Sequence, residues 1–118
     1  MNKTFRVNHI KLALLAVEPK MTLKQRQMLA AHYYHRTLST GKIAKLVGYS
    51  SYRIVNMQYG TLCRRIADEL GYKPPYDKIF TIATVSSKRD ELGHAQWRLD
   101  AVVAKALEGL GWVKKRPA

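Results

Sequence analysis

The stretch TGKIAKLVGYSSYRIVNMQYG, Thr40 to Gly60, decides the fold of this chain. Ile43, Ala44, Leu46 and Val47 alternate with Lys42 and Lys45 in a pattern that predicts a short helix, capped by Ser39 or Thr40 and stopped by Gly48. A second helix is expected from about Ser51 to Leu70, with Val55, Tyr59, Leu62, Ile66 and Leu70 on one apolar stripe and Gly71 at its end. A helix-turn-helix needs a small residue where its helices cross, a turn residue that tolerates positive φ, and an aliphatic plug on the second helix. Ala44, Gly48 and Ile54 supply these at offsets of four and then six residues. An ordinary helical hairpin with a glycine turn is the competing reading of the same spacing.

If the stripe of the second helix is buried, Arg53, Asn56, Met57, Gly60 and Arg64 share the opposite side. These are candidates to face the DNA major groove: arginine pairs with guanine or phosphate, asparagine grips adenine, and methionine touches a pyrimidine methyl group. Gly60 would let the helix backbone approach closely. Ser50, Ser51 and Tyr52, at the helix start, suit phosphate contacts because unpaired backbone amides point there.

Upstream, Val7 to Glu18 reads as a helix with Ile10, Leu14 and Val17 apolar, Leu12 and Leu15 widening the stripe, Asn8 as cap and Pro19 as terminator. Thr22 and Gln25 form a capping-box pattern opening a helix to about Arg36, with Leu23, Ala30 and Tyr34 on its apolar stripe. Downstream, the paired prolines of KPPYD, Lys73 to Asp77, form a stiff linker. The β-branched run Ile79 to Ser86 and the segment His94 to Leu99 then predict a β-hairpin around KRDELG, Lys88 to Gly93. Asp100 caps a last helix with Val102, Val103, Ala106, Leu107 and Leu110 apolar, and Gly111 closes it. The expected fold is therefore mainly α with a small β-hairpin. It is a single winged helix-turn-helix domain with N- and C-terminal helical additions, its helix-turn-helix at about 40–70, wing at about 79–99, C-terminal helix at about 100–110 and basic tail at 114–118.

The 118 residues carry 21 Lys and Arg against 8 Asp and Glu, a net charge of +13 that points to a polyanionic partner. Lys88 and Arg89 at the hairpin tip are candidates for a flanking phosphate or the minor groove, and Lys42, Lys45, Lys114, Lys115 and Arg116 for unspecific phosphate attraction. No apolar run approaches the ~20 residues that span a bilayer, and LALLAV at Leu12 to Val17 is followed by EPK rather than a cleavage site, so a cytoplasmic protein is expected. The lone Cys63 excludes an internal disulfide and reads as a core residue, as do Trp97 and Trp112. His32 and His35 have helical metal-ligand spacing without a Cys or carboxylate to complete a set, and neither paired catalytic carboxylates nor a glycine-rich phosphate loop is present. No metal, cofactor or catalysis is expected.

The wording MTLKQRQMLAAHYYHR, IAKLVGYSSYRIVNMQYGTLCRRIADELGY and VAKALEGLGWV resembles the helix-turn-helix modules found beside HNH nuclease domains in bacterial modification-dependent restriction enzymes. The similarity spans about Met21 to Val113, with Tyr49, Ser51, Tyr52, Asn56, Gln58, Tyr59 and Gly60 in its most specific part. It implies a reader of double-stranded DNA, one that senses 5-methylcytosine through the major groove, and an HNH nuclease domain or subunit as partner. The nuclease itself is missing from this sequence. Two other classes remain open: a small phage-type or regulatory protein that acts on a protein partner or on transcription, and a nuclease fragment or subunit.

Overall fold

The computed structural model describes residues 5–75 and 77–115; residues 1–4, 76 and 116–118, including Arg116 of the basic tail, lie outside it. Three helices build the first half: α1 (Val7–Val17), α2 (Leu23–His35) and α3 (Thr40–Val47). A three-residue strand, β1 (Thr37–Ser39), lies between α2 and α3. The long helix α4 (Tyr52–Leu70) follows, then β2 (Ala83–Val85), β3 (Gln96–Leu99) and α5 (Ala101–Gly109). The strands form one antiparallel sheet in the order β1-β3-β2, with Leu38 opposite Trp97 and Thr84 opposite Arg98. The described residues thus give a mainly helical fold with a small sheet. No helix among them is long and apolar enough to cross a membrane.

Local chemistry accounts for the helix boundaries. Thr22 Oγ1 accepts from the Gln25 amide at 3.0 Å and Gln25 Oε1 accepts from the Thr22 amide at 2.9 Å, the expected capping box. Gly48 takes φ +83°, the left-handed value that ends α3, and its amide donates to the Ala44 carbonyl. Lys24 Nζ supports the same end from α2, donating to the Val47 carbonyl at 2.6 Å. The favourable placement of a cation at a helix C-terminus explains why this lysine is half-buried.

Several expected details are corrected. Asn8 lies inside α1 rather than capping it: Arg6 is the N-cap, and its amide donates to His9 Nδ1 at 3.2 Å. Leu12 and Leu15 are exposed and Ala13 is buried in their place. On α2 the buried face is Gln25, Met28, Leu29, His32 and Tyr33, while Leu23 and Tyr34 are exposed and Ala30 is only partly covered. Hydrophobic patterning missed that face because Gln25 and His32 are polar residues whose buried groups find partners across the core. Ile54 is not the plug: Val55 is fully buried against the core and Ile54 is only partly covered. The expected strand Ile79 to Ser86 opens instead in a 3-10 turn, Lys78–Thr81, begun by Asp77 Oδ1 accepting from the Ile79 amide at 3.2 Å, and only Ala83–Val85 pair as strand. The returning strand starts at Gln96 rather than His94, and the loop between the strands spans 86–95. The stripe Val55, Tyr59, Leu62 and Ile66 and the burial of Cys63 match the expectation.

The core joins these elements through one imidazole. His32 Nε2 lies 2.8 Å from the Trp97 carbonyl, which can only accept, so Nε2 carries the proton and Nδ1 accepts from the Tyr59 hydroxyl at 2.9 Å. α2, α4 and β3 are thereby pinned at one point. Beside it, Gln25 Nε2 donates to the Gln58 carbonyl at 3.1 Å, a second tie from α2 to α4. Arg36, next to the joint, holds φ +65° and ψ −47°, a strained conformation for a side-chain-bearing residue. It is kept there by the amide of Leu99, which donates to its carbonyl at 2.9 Å.

Burial pulls the His32 pKa from 6.5 to about 4, with the nearby Arg36 charge acting in the same direction and the Trp97 carbonyl opposing. The unfolded chain therefore takes up this proton first as pH falls, and His32 contributes full stability only above pH 6.5. That contribution is expected to fall by about 1.4 kcal/mol per pH unit between pH 6.5 and about 4, then level off. Urea unfolding of the wild type and His32→Gln across this range checks it: the variant is less stable at neutral pH, and the stability gap closes as pH falls.

Candidate nucleic-acid interface

α4 and the two serines that precede it carry most of the candidate residues. Ser51 is the N-cap, and its hydroxyl accepts from the Arg53 amide at 3.1 Å, which uses one of the amides expected to serve a phosphate. Ser50, Tyr52, Arg53, Asn56, Met57 and Arg64 are exposed, and Gly60 is partly covered. The helical repeat sets Arg53, Asn56, Met57, Gly60 and Arg64 on one side and Val55, Tyr59, Leu62 and Ile66 in the core. The resemblance motif divides along the same line. Tyr59 is fully buried on His32, and Gln58, only partly covered, is tied through its backbone carbonyl to Gln25. Tyr49 is half-buried beneath the Lys24 ammonium, 5.1 Å from its ring centre.

The loop 86–95 lies against the start of α4. The Tyr52 and His94 rings are 5.7 Å apart, and an open cleft of about 280 Å³ between helix and loop is lined by Thr40, Tyr52, Asn56, Arg89, His94 and Trp97, among others. Arg89 donates to the Gly93 carbonyl at 2.9 Å, which fixes its guanidinium at the rim, and Lys88 is exposed beside it. Asn56 also borders a second groove of about 400 Å³ along the outer side of α4, shared with Met57, Gly60, Thr61, Asp77 and Lys78. The structure therefore brings Tyr52, Asn56 and Arg89 together around one cleft and Asn56, Met57 and Gly60 along a neighbouring groove. Arg53 and Arg64 flank these, and Lys42 is drawn into an ion pair with Glu91 at 3.2 Å.

The charge is unevenly distributed in a way the total conceals. No Asp or Glu occurs between Glu18 and Asp68, the segment that forms α2, β1, α3 and most of α4, whereas Lys20, Lys24, Arg26, Arg36, Lys42, Lys45, Arg53, Arg64 and Arg65 do. Carboxylates of other elements meet this segment all the same: Glu108 of α5 accepts from the Tyr33 hydroxyl at 2.6 Å. Asp90 and Glu91 of the loop meet the start of α3, and the Ser39 hydroxyl, followed by the amides of His94 and Leu92, holds the Asp90 carboxyl below the ordinary range. At the other end Glu18 pairs with Arg26 at 2.9 Å, and Arg26 stacks on Trp112, its guanidinium 4.2 Å from the ring centre.

Sequence reasoning missed Thr40, His94 and Trp97 as cleft residues. Thr40 had the role of helix cap, His94 that of opening the returning strand, and Trp97 that of a core residue. Their common location depends on the β3 register, which brings the end of the loop to the start of α3. His32, half of the candidate metal spacing, has both ring nitrogens bonded within the core, and His35 is exposed. Among the described residues no group of three potential metal ligands is present. No family model, curated protein or solved structure matches this chain.

Gly60 lies inside a helix, and a Cβ built there meets nothing within 4 Å. Gly60→Ala is expected to stabilise the fold by about 0.5–1 kcal/mol, measured by urea unfolding. A loss of stability instead would show that the glycine serves the fold.

Proposed function

We propose that this chain binds double-stranded DNA as a winged helix-turn-helix, with α4 in the major groove and the loop 86–95 as the wing. The observation that carries this is the face of α4 between Tyr52 and Arg64. It is free of acidic residues and exposes Arg53, Asn56, Met57 and Arg64 beside a loop that adds Lys88 and Arg89. Such a face combines phosphate attraction with side chains able to contact base edges. The wing reading is supported by the strand order: β1, between α2 and α3, pairs with β3, and the β2–β3 hairpin then folds beside the start of α4.

The finer proposal is that the face senses 5-methylcytosine. Tyr52 and Met57 are 43% and 61% exposed on it and offer apolar surface for a methyl group. One such contact is worth about 0.8 kcal/mol, roughly a fourfold preference. Recognition is the role of this chain in that scheme, and an HNH nuclease domain or subunit, the partner that the sequence resemblance implies, supplies the cleavage.

Fluorescence anisotropy with labelled duplex tests the proposal. With about six phosphates neutralised, affinity drops roughly a thousandfold between about 50 and about 200 mM salt. Arg53→Glu and Arg64→Glu each weaken binding by about tenfold or more, and Gly60→Ala weakens it despite the added stability, because its methyl group holds the helix off the groove. Unchanged affinity in both charge reversals would refute α4 as the reading element. Competition between duplexes differing only in cytosine methylation decides the finer proposal, which equal affinity would remove.

A further inference from the structure

We infer that the cleft between α4 and the loop seats a single backbone phosphodiester, clamped between Arg89 on the loop and Asn56 on the helix. This rests on the DNA-binding reading and deepens it. A duplex that receives α4 in one groove must run the sugar-phosphate strand bordering that groove between helix and wing, and the cleft occupies that position. Its volume of about 280 Å³ lies below the ~300–1,000 Å³ of sites that enclose whole small molecules. It suits one chemical group of a larger ligand.

The lining fits an anion on a sugar. Arg89 brings a guanidinium with five N–H donors, of which one hydrogen bond holds it to the Gly93 carbonyl, and Asn56 brings an amide from the opposite wall. Prior anchoring of the guanidinium lowers the ordering cost of binding, and its planar fork matches phosphate oxygens. The Tyr52 and His94 rings, 5.7 Å apart and tilted by 42°, line the cleft with aromatic surface against which a deoxyribose can lie. Among the described residues no carboxylate lines the cleft. Asp90, the nearest in sequence, turns its Oδ1 to the amides of Leu92 and His94 at 2.9 and 2.8 Å.

The test uses the full chain and a duplex selected for binding from a random library. Its phosphates are replaced one at a time by neutral methylphosphonates. One linkage is expected to cost the wild type about tenfold in affinity and to cost Arg89→Gln nothing further, because the clamp is already lost. Arg89→Gln also lowers the salt slope by about 0.9. Lys105→Gln, which removes the same charge from the exposed side of α5, serves as the control and leaves the linkage effect intact. Arg89 is exposed, so thermal unfolding of its variant is expected to match the wild type. The clamp is overturned if Arg89→Gln behaves like Lys105→Gln, or if the linkage effect persists undiminished in Arg89→Gln. A change in base preference without loss of the linkage effect overturns it in favour of a base contact. If the wild type binds no duplex at all, the DNA-binding reading falls and takes the clamp with it, a result distinct from duplex binding without a sensitive linkage.

Discussion

His32 sits where α2, α4 and β3 meet, and the relation between the exposed face of α4 and the neighbouring loop depends on its two hydrogen bonds. The Trp97 carbonyl accepts a hydrogen bond from its Nε2–H and the Tyr59 hydroxyl donates to its free nitrogen, so the ring is held neutral with one tautomer. In a fully buried setting each of these groups would otherwise cost desolvation energy without return. The joint therefore gives orientation more than adhesion. It fixes the rotation of α4 about its axis, because Tyr59 can reach His32 only when Val55 and Leu62 face the core and Asn56 and Gly60 face outward.

Around this joint the polar residues of α2 act as connectors. Gln25 caps its own helix and reaches the middle of α4, and Lys24 closes the end of α3. The cost of burying such groups is offset because each has a defined partner. Rigid support of this kind suits a surface whose side chains must keep a fixed spacing. The loop is supported differently. Asp90 folds it by accepting from the amides of Leu92 and His94, while the Glu91–Lys42 pair is solvent-exposed and worth little by itself.

Much of this was legible in the chain as text. The capping box at Thr22, the glycine stop at Gly48 and the stripe from Val55 to Ile66 follow from rules of spacing that act within a few residues, and the observed elements obey them. The α2 face was misread for a related reason. Periodicity of apolar residues favoured Leu23, Ala30 and Tyr34, but the buried side is set by Gln25 and His32, whose partners lie on α4 and β3, 27 to 65 residues away in the case of His32. β1 escaped notice because three residues carry too little pattern, and the strand exists only because β3 comes back to pair with it.

The sequence alone determined the mainly helical class, the helix–glycine–helix segment from Thr40 to Leu70, the positive charge and the set of residues on the outer side of α4. All of these are properties of local spacing or of composition, which need no knowledge of what lies across the core. Only the tertiary structure decided which side of α2 is buried, that Val55 rather than Ile54 plugs α4 into the core, and that Thr40, Asn56, Arg89 and His94 border one cleft. The physical reason is that these depend on the pairing of β1 with β3 and on the His32 joint, contacts between segments far apart in the chain whose partners no local pattern encodes.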